Sequence, residues 1–266
     1  MTRVPSRLER FDVVDSTQRI VAAWLASGTP EVAVAVADVQ EQGRGRQGRS
    51  WTAPPGSGLL VSFGFTPDWL DPSHAWRLGA IVALAMLDAA EDEAGLRDGA
   101  LGLKWPNDLV HERPQPVEGG HGDLLKLAGV LGESTLRGER LSTVVVGIGV
   151  NVDWAAAGFP AELATTMTSL REASGGRPVD RDALLDAALA RLEARYESLR
   201  SGRFDSAAWS LRQRTTGREV EVAVGGATLR GIASGVDPET GALLVETAAG
   251  TQAIDSGEVV RCRVVG

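Results

Sequence analysis

Residues 43–51, GRGRQGRSW, combine the side chains best suited to bind an anionic ligand. Glycines let the backbone approach a ligand closely, arginines match phosphate or carboxylate groups, and Trp51 offers a flat face for stacking on a base or covering a pocket. The arginines are Arg44, Arg46 and Arg49, and the glycines are Gly43, Gly45 and Gly48. A solvated Gly/Arg turn and an RGG-like nucleic-acid patch are the competing interpretations. Because the segment lies between two predicted core strands, we favour a binding loop carried by a sheet.

Two lysine-containing motifs follow along the chain. Residues 104–108 read KWPND, and the proline turns the chain so that Asn107 and Asp108 leave the strand end. Lys126 begins the apolar run KLAGV at residues 126–130. A plain Pro-Asn-Asp turn and an edge-strand lysine that reaches water are the simpler interpretations of these two motifs.

Two further motifs place polar side chains at element ends. Residues 147–151, GIGVN, predict a glycine-rich strand that ends at Asn151, although close strand–helix packing explains the glycines equally well. Residues 15–18, DSTQ, predict a helix start, with Gln40 at the end of the first predicted strand. Ser16 and Thr17 are most simply helix caps, but a helix start also leaves N–H groups free to bind a ligand.

The composition limits the class of protein. The 266 residues are 43% hydrophobic and 23% charged, which is typical of a soluble globular chain. The net charge of −8 argues against binding to long stretches of DNA or to an anionic membrane surface. One cysteine, Cys262, excludes an intrachain disulfide and a multi-cysteine zinc site, and the three histidines have no HExxH spacing. Without a long apolar run or a secretion signal, we expect a cytoplasmic protein with no membrane contact. The common phosphate-binding and serine-nucleophile motifs (GxxxxGK[ST], GxGxxG after a strand, GxSxG) are absent from the sequence.

Apolar patterning predicts the elements that position these motifs. Helices are predicted from the cap at residues 15–17 to Gly28, from Ser73 to about Gly95, from Asp180 to Gly202, and over residues 204–212. Buried strands are predicted over residues 32–39, 59–65, 127–131 and 143–150, and a lid or binding loop over residues 111–122. Five short strands, at 219–224, 227–233, 242–247, 251–254 and 258–265, predict a small antiparallel barrel. The predicted domains are therefore residues 1–217 and 218–266.

In this order, the motifs closely resemble those of biotin protein ligases: D-S-T-N, Q-x-x-G-R-G-R-x-G-R-x-W-x-S-P-x-G-x-L, K-W-P-N-D, K-L-A-G-I-L and G-x-G-x-N. They correspond here to residues 15–18, 40–59, 104–108, 126–131 and 147–151. The resemblance implies an α+β fold, with a catalytic domain like that of class II aminoacyl-tRNA synthetases, in which helices flank a mixed, largely antiparallel sheet. It also implies a small C-terminal SH3-like β-barrel.

The resemblance further implies a two-step reaction. Biotin and MgATP give biotinyl-5′-AMP, and a specific lysine of a biotin carboxyl carrier domain then takes up biotin. The acceptor would belong to acetyl-CoA, acyl-CoA or pyruvate carboxylase. Adenylation brings two anionic groups together, so fixed positive charge is required. Lys126, Arg44 and Arg46 would supply it as the catalytic residues.

The implied binding residues form two overlapping sets. Biotin would contact Ser16, Thr17, Gln18, Gln40, Gly43, Arg44, Gly45, Arg46, Lys126 and Gly129. ATP or the adenylate would contact Arg44, Arg46, Arg49, Trp51, Asn107, Lys126 and Asn151, with Asp108 as a candidate Mg²⁺ ligand. Trp51 would stack on adenine, Asn151 would bond the adenine edge, and the loop at 43–52 would order when ligand binds.

Some positions depart from the family pattern. Gln18 replaces the family's Asn, Ala53 replaces the usual Ser, and Leu125 replaces the Arg that usually precedes the lysine. Glu133 is interpreted as a carboxylate that supports the site without contacting ligand. The first ligase motif begins at Asp15, so we expect a monofunctional ligase without a DNA-binding domain, as a monomer or weak homodimer. A lipoate or octanoate ligase of the same fold, and a non-catalytic nucleic-acid-binding module, remain the alternatives.

Overall fold

The structure is a computed structural model that describes residues 4–113 and 123–264. The strands of its first sheet are β1 (Arg7–Val14), β2 (Ala33–Gln40), β3 (Gly58–Phe65), β4 (Leu101–Lys104), β5 (Asp108–Glu112), β6 (Leu124–Arg137) and β7 (Arg140–Asn151). The strands of its second sheet are β8 (Arg218–Val224), β9 (Ala227–Val236), β10 (Leu243–Thr247), β11 (Gly250–Ile254) and β12 (Glu258–Val264). The helices are α1 (Thr17–Ala26), α2 (Trp76–Glu93), α3 (Leu170–Ala173), α4 (Arg181–Arg200) and α5 (Ser206–Leu211).

The seven strands of the first sheet lie in the order β1-β2-β3-β7-β6-β5-β4. Only β1 and β2 pair in parallel, and the other neighbours are antiparallel. The second sheet is antiparallel throughout, in the order β11-β10-β9-β8-β12. The predicted architecture, a mixed and largely antiparallel sheet followed by a small β unit, is therefore confirmed. The boundary at residues 217 and 218 stays a prediction.

Alternation along β7 separates a packed face of the first sheet from the face that carries the cleft. Val146 and Ile148 belong to the main core, which includes residues of α2 and α4. Val145 packs on the other face, with Val21 of α1. Because successive strand residues point to opposite faces, the two glycines of the GIGVN motif lie on the α1 face and leave it open.

The predicted helices exist, with differences at their starts. The Asp180 side chain accepts hydrogen bonds from the backbone N–H of Asp182 and Ala183 at the start of α4. Ser16 is the N-cap residue of α1, but its hydroxyl makes no capping hydrogen bond. The prediction that α2 begins at Ser73 is wrong, because Asp71 caps a separate short 3₁₀ turn there.

Several strands were missed or mislocated from sequence. The prediction of a loop beginning at residue 111 is wrong, because His111 and Glu112 belong to β5, and residues 114–122 of that loop lie outside the described residues. The patterning also missed β1 and gave no bounds for β4, although the strand end expected before Pro106 is the end of β4. It shortened the β6–β7 hairpin. Most of the extra hairpin residues of β6 are exposed, so they lack the apolar run on which the prediction depended.

The two sheets contact each other beside the β4–β5 turn. Trp105 Nε1 donates a hydrogen bond to the Gly241 carbonyl at 3.0 Å. The Arg77 guanidinium of α2 lies 2.8 Å from the Glu239 carboxylate of the β9–β10 turn. Among the helices of the described ranges, none is both long enough and apolar enough to cross a membrane.

Candidate active site

An open cleft lies on the α1 face of the first sheet. It brings together most of the residues singled out from sequence. Its lining includes Thr17, Gln18, Gln40, Arg44, Gly45, Arg46, Arg49, Trp51, Asn107, Asp108, Lys126 and Gly129. Ser16, Gly43 and Asn151, which were predicted for the same site, are not part of this lining.

One end of the cleft is buried, polar and uncharged. The Thr17 backbone N–H and hydroxyl donate to Gln40 Oε1 at 2.8 and 3.1 Å. The Thr17 and Ser62 hydroxyl oxygens are 2.7 Å apart, and Gln18 Nε2 donates to the Leu131 carbonyl at 3.1 Å. The start of α1 thus presents hydroxyl, amide and backbone groups together, which suits a neutral ligand group with donors and acceptors.

Residues 43–51 form a tight hairpin-like loop over the cleft. The Gly45 N–H donates to the Arg49 carbonyl at 2.7 Å, and the Trp51 N–H donates to the Gly43 carbonyl at 3.0 Å. A Cβ atom at Gly43 would lie 2.2 Å from the Trp51 carbonyl oxygen, so only glycine fits at this position. At the tip, Gln47 and Gly48 have φ of 57° and 74°. The glycines therefore fix the shape of the loop.

The arginines of this loop have different partners. Arg44 Nη2 lies 2.8 Å from Glu133 Oε2 on β6, and Arg49 forms an ion pair with Glu258 at the start of β12. Within the ranges that the structure describes, the Arg46 side chain forms neither an ion pair nor a hydrogen bond. Arg46 lines the cleft, so its charge is available to a ligand.

Trp51 and Lys126 meet over the glycines of the sheet. A Cβ at Gly149 would lie 2.3 Å from Trp51 Nε1, and one at Gly129 would lie 3.2 Å from Trp51 Cζ3. The indole therefore rests directly on β6 and β7. Lys126 Nζ lies 5.5 Å from the centre of the Trp51 ring and 2.7 Å from Asp108 Oδ1. A cation, an aromatic face and a carboxylate thus share the middle of the cleft.

The two asparagines make structural hydrogen bonds. Asn107 Nδ2 donates to the Val130 carbonyl at 2.8 Å, which fastens the KWPND turn to β6. Asn151 is 3% exposed, and its Nδ2 donates to the Thr168 carbonyl at 2.9 Å. The adenine-edge role inferred for Asn151 stays a prediction, as do the other ligand contacts.

Several residues of the cleft lining were not predicted from sequence, among them three with polar or charged side chains. Ser62 and Lys104 line the cleft, and Glu258 reaches it from the second sheet. Lys104 stood inside the KWPND motif and could have been found, whereas Ser62 and Glu258 carry no local signal. Nearby on β5, burial lowers the pKa of His111, so this imidazole is mainly neutral near pH 7.

Asp108 is the carboxylate of the cleft that was predicted to bind Mg²⁺. Among residues 4–113 and 123–264, no group of three or more His, Cys, Asp or Glu side chains could hold a metal by itself. Mg²⁺ is commonly held by one or two carboxylates together with substrate phosphates. A single carboxylate beside a cationic cleft fits that arrangement.

Sequence profiles define the class of this protein. The biotin/lipoate A/B protein ligase family matches residues 10–151, and the biotin protein ligase C terminal domain matches residues 215–261. The chain therefore belongs to the biotin/lipoate A/B protein ligase family.

Individual relatives are similar over most of the chain. It is 33% identical over 261 residues to the biotin–[acetyl-CoA-carboxylase] ligase of Mycobacterium tuberculosis, covering 96% of this chain and 90% of the relative. It is 31% identical over 250 residues to the bifunctional ligase/repressor BirA of Bacillus subtilis, covering 93% of this chain and 72% of the relative. The solved structure of biotin protein ligase from Aquifex aeolicus in complex with biotin and ATP is similar, with a TM-score of 0.76 and 28% identity, covering 95% and 97% of the two chains.

Proposed function

We propose that this chain is a biotin–protein ligase. It activates biotin with MgATP to biotinyl-5′-AMP and pyrophosphate, and it transfers biotin to a lysine of a biotin carboxyl carrier domain. The observation that carries the proposal is the cleft itself. One continuous lining joins a buried, uncharged, hydrogen-bonding end to a cationic middle covered by an indole. The uncharged end suits the ureido ring of biotin, and the cationic middle suits the adenylation step.

The buried end would hold the biotin ring. Ser16, Thr17, Gln18 and Gln40 would bond the ureido group, and the loop backbone from Gly43 to Arg46 would close over it. Gly129 would leave room for the valeryl chain, because a Cβ there would lie 3.4 Å from Lys126 Nζ. The carboxylate of biotin would then reach Lys126.

The cationic middle would carry the first step. A biotin carboxylate oxygen attacks the α-phosphorus of ATP, and pyrophosphate leaves. Lys126 and Arg46 reduce the repulsion between the two anions and stabilise the charge that develops in the transition state. Asp108 orients the Lys126 ammonium through their 2.7 Å contact. Trp51 would stack on adenine, and Asn107 and Asn151 are further adenylate contacts predicted from sequence. Arg44 and Arg49 were predicted as adenylate contacts too, but each lies in an ion pair with a glutamate, which leaves Arg46 as the loop arginine proposed to face the phosphates. Mg²⁺ held by Asp108 and the phosphates would neutralise charge on the phosphate chain.

The second step would use the same cleft. The neutral amine of the acceptor lysine attacks the carbonyl carbon of the mixed anhydride, AMP leaves, and the amide nitrogen loses a proton. No further energy source is needed, because the anhydride is activated. We propose the carrier domains of acetyl-CoA, acyl-CoA or pyruvate carboxylase as acceptors, and an activity located in the cytoplasm.

Biotin-dependent exchange of pyrophosphate into ATP tests this proposal. We expect exchange with biotin and none with lipoate or octanoate at equal concentration. Transfer is then read as mass addition of one biotinyl group to a carrier domain, with its lysine replaced by arginine as control. Exchange supported by lipoate alone would favour the related ligase, and specific, salt-resistant DNA retention without exchange would favour the nucleic-acid-binding module.

A further inference from the structure

Two carboxylates, from different sheets, hold the two arms of the loop at residues 43–51. Resting on the ligase function proposed above, we propose that Glu133 and Glu258 are positioning residues that keep this loop closed over the adenylate. Arg46 is then the arginine of the loop that faces the anionic substrates. The C-terminal sheet takes part in retaining the intermediate through this contact.

The first arm is fastened to the β6–β7 hairpin. Glu133 pairs with Val145 across this hairpin, beyond the point where β5 stops pairing with β6 at Gly129. Its Oε2 lies 2.8 Å from Arg44 Nη2. Because this part of β6 is held by the long hairpin, Glu133 offers a fixed anchor for the entry side of the loop.

The second arm is fastened to the C-terminal sheet. Glu258 is the first residue of β12 and pairs with Ala223 of β8. It forms an ion pair with Arg49, 209 residues away in the chain. Arg49 also donates to Gln47 Oε1 at 3.1 Å, within the tip of the loop. The exit side of the loop is therefore held by a part of the chain that lies outside the first sheet.

The pattern of charges divides the arginines by role. Arg44 and Arg49 each face a carboxylate outside the loop, so these two guanidinium groups are engaged in holding the loop. The Arg46 guanidinium has no such partner among the described residues, and it lies between the two fastened positions. Because Arg44 and Arg49 are anchored on either side of it, Arg46 is held over the cleft. The two glutamates therefore act on the reaction through the position of the loop.

The expected effect follows from the exposure of the pairs. The side chains of Arg44 and Glu133 are 40% and 44% exposed, and those of Arg49 and Glu258 are 57% and 30% exposed. Pairs of this kind contribute up to about 1 kcal/mol, which corresponds to roughly fivefold in the closed-to-open ratio of the loop. If the adenylate leaves through the open loop, losing one pair raises its release rate by up to about fivefold, and losing both raises it by up to about 25-fold.

The test measures release of biotinyl-5′-AMP from the full chain. The enzyme is loaded with labelled biotin and MgATP, freed of excess substrate, and diluted into unlabelled biotin without ATP. Glu133→Gln and Glu258→Gln should each release label faster than the parent, by up to about fivefold, and the double variant by up to about 25-fold. Bystander labelling of added serum albumin should rise in the same order.

Two matched controls lose a carboxylate elsewhere. Glu239→Gln removes a carboxylate of the C-terminal unit that pairs with Arg77 instead of the loop, and Glu139→Gln removes one from the exposed β6–β7 turn. Both should release the adenylate at the parental rate.

A mutant cycle separates positioning from general loss of stability. If Glu258 acts through Arg49, Glu258→Gln should add no further acceleration in an Arg49→Gln background. Parental release by the Glu133→Gln/Glu258→Gln variant, equal acceleration in the two controls, or additive effects of Arg49→Gln and Glu258→Gln would each overturn the inference. If the parent forms no adenylate from biotin and ATP, it is the ligase function that fails.

Discussion

Replacing Gly149 by alanine should displace Trp51 from the cleft. The new Cβ would lie 2.3 Å from Trp51 Nε1 and 2.5 Å from Cε2. Because non-bonded heavy atoms settle at about 3.5 Å or more, the indole must move by at least roughly 1.2 Å. Stacking of a base on an aromatic side chain contributes about 1–3 kcal/mol, which is roughly 5- to 150-fold in affinity. We therefore expect kcat/KM for ATP to fall by up to about 100-fold, through weaker ATP binding.

Alanine substitutions at two neighbouring glycines should displace Trp51 less or not at all, so the three variants should form a graded series. At Gly129 the Cβ would lie 3.2 Å from Trp51 Cζ3, so the ring moves only a few tenths of an ångström, and we expect a loss of about threefold. At Gly132, on the same strand, a Cβ has nothing within 4 Å, so Gly132→Ala should behave as the parent.

The assay is biotin-dependent pyrophosphate exchange at varied ATP, with thermal melting as the control for folding. The loss should appear mainly in KM for ATP, because the ring is proposed to stack on adenine. A Gly149→Ala variant with parental KM and kcat would refute the role of Trp51. So would equal losses at Gly149, Gly129 and Gly132.

Three further substitutions probe the remaining parts of the structure. Lys126→Ala should lower pyrophosphate exchange by about 100-fold or more with an unchanged melting temperature, because it removes the cation proposed to lie at the reacting groups; near-parental exchange would exclude Lys126 from the mechanism. Arg46→Gly should release the adenylate and label bystander lysines, read by blotting with streptavidin, and labelling confined to the carrier domain would contradict this. Glu91→Gln should lower the free energy of unfolding by about 2 kcal/mol in urea, because it removes the nearly buried carboxylate partner of Arg212 and leaves Asp88 as the remaining partner of that guanidinium. Glu93→Gln, exposed on the same helix, is the control, and an equal loss there would contradict the role of the buried pair.

Sequence patterns predicted a helix or strand correctly where residues inside or next to that element define it. Asp180 caps α4, and Gly28, with φ of 90°, follows the end of α1. These features act within a few residues, so sequence patterns register them. The exposed half of β6 and the edge strand β1 have no comparable apolar pattern, because pairing partners elsewhere in the chain define them.

The features of the cleft likewise divide into those that could be predicted from sequence and those that only the fold explains. The types and order of the motif residues were enough to predict a ligase and to name Lys126, Arg46 and Trp51. The glycines of residues 147–151 had two interpretations from sequence, and the structure explains Gly149 by the indole that rests on it. That contact joins positions that are far apart in the chain.

What the sequence alone determined is the chemistry available: a cationic, glycine-rich loop, an aromatic cover and a helix start with polar side chains. What the tertiary structure decided is how the charges are distributed. It pairs Arg44 with a carboxylate of the first sheet and Arg49 with a carboxylate of the second, whereas the Arg46 side chain has no such partner among the described residues. The physical reason is that an ion pair depends on distance in space, and residues 49 and 258 come together only after both sheets have formed.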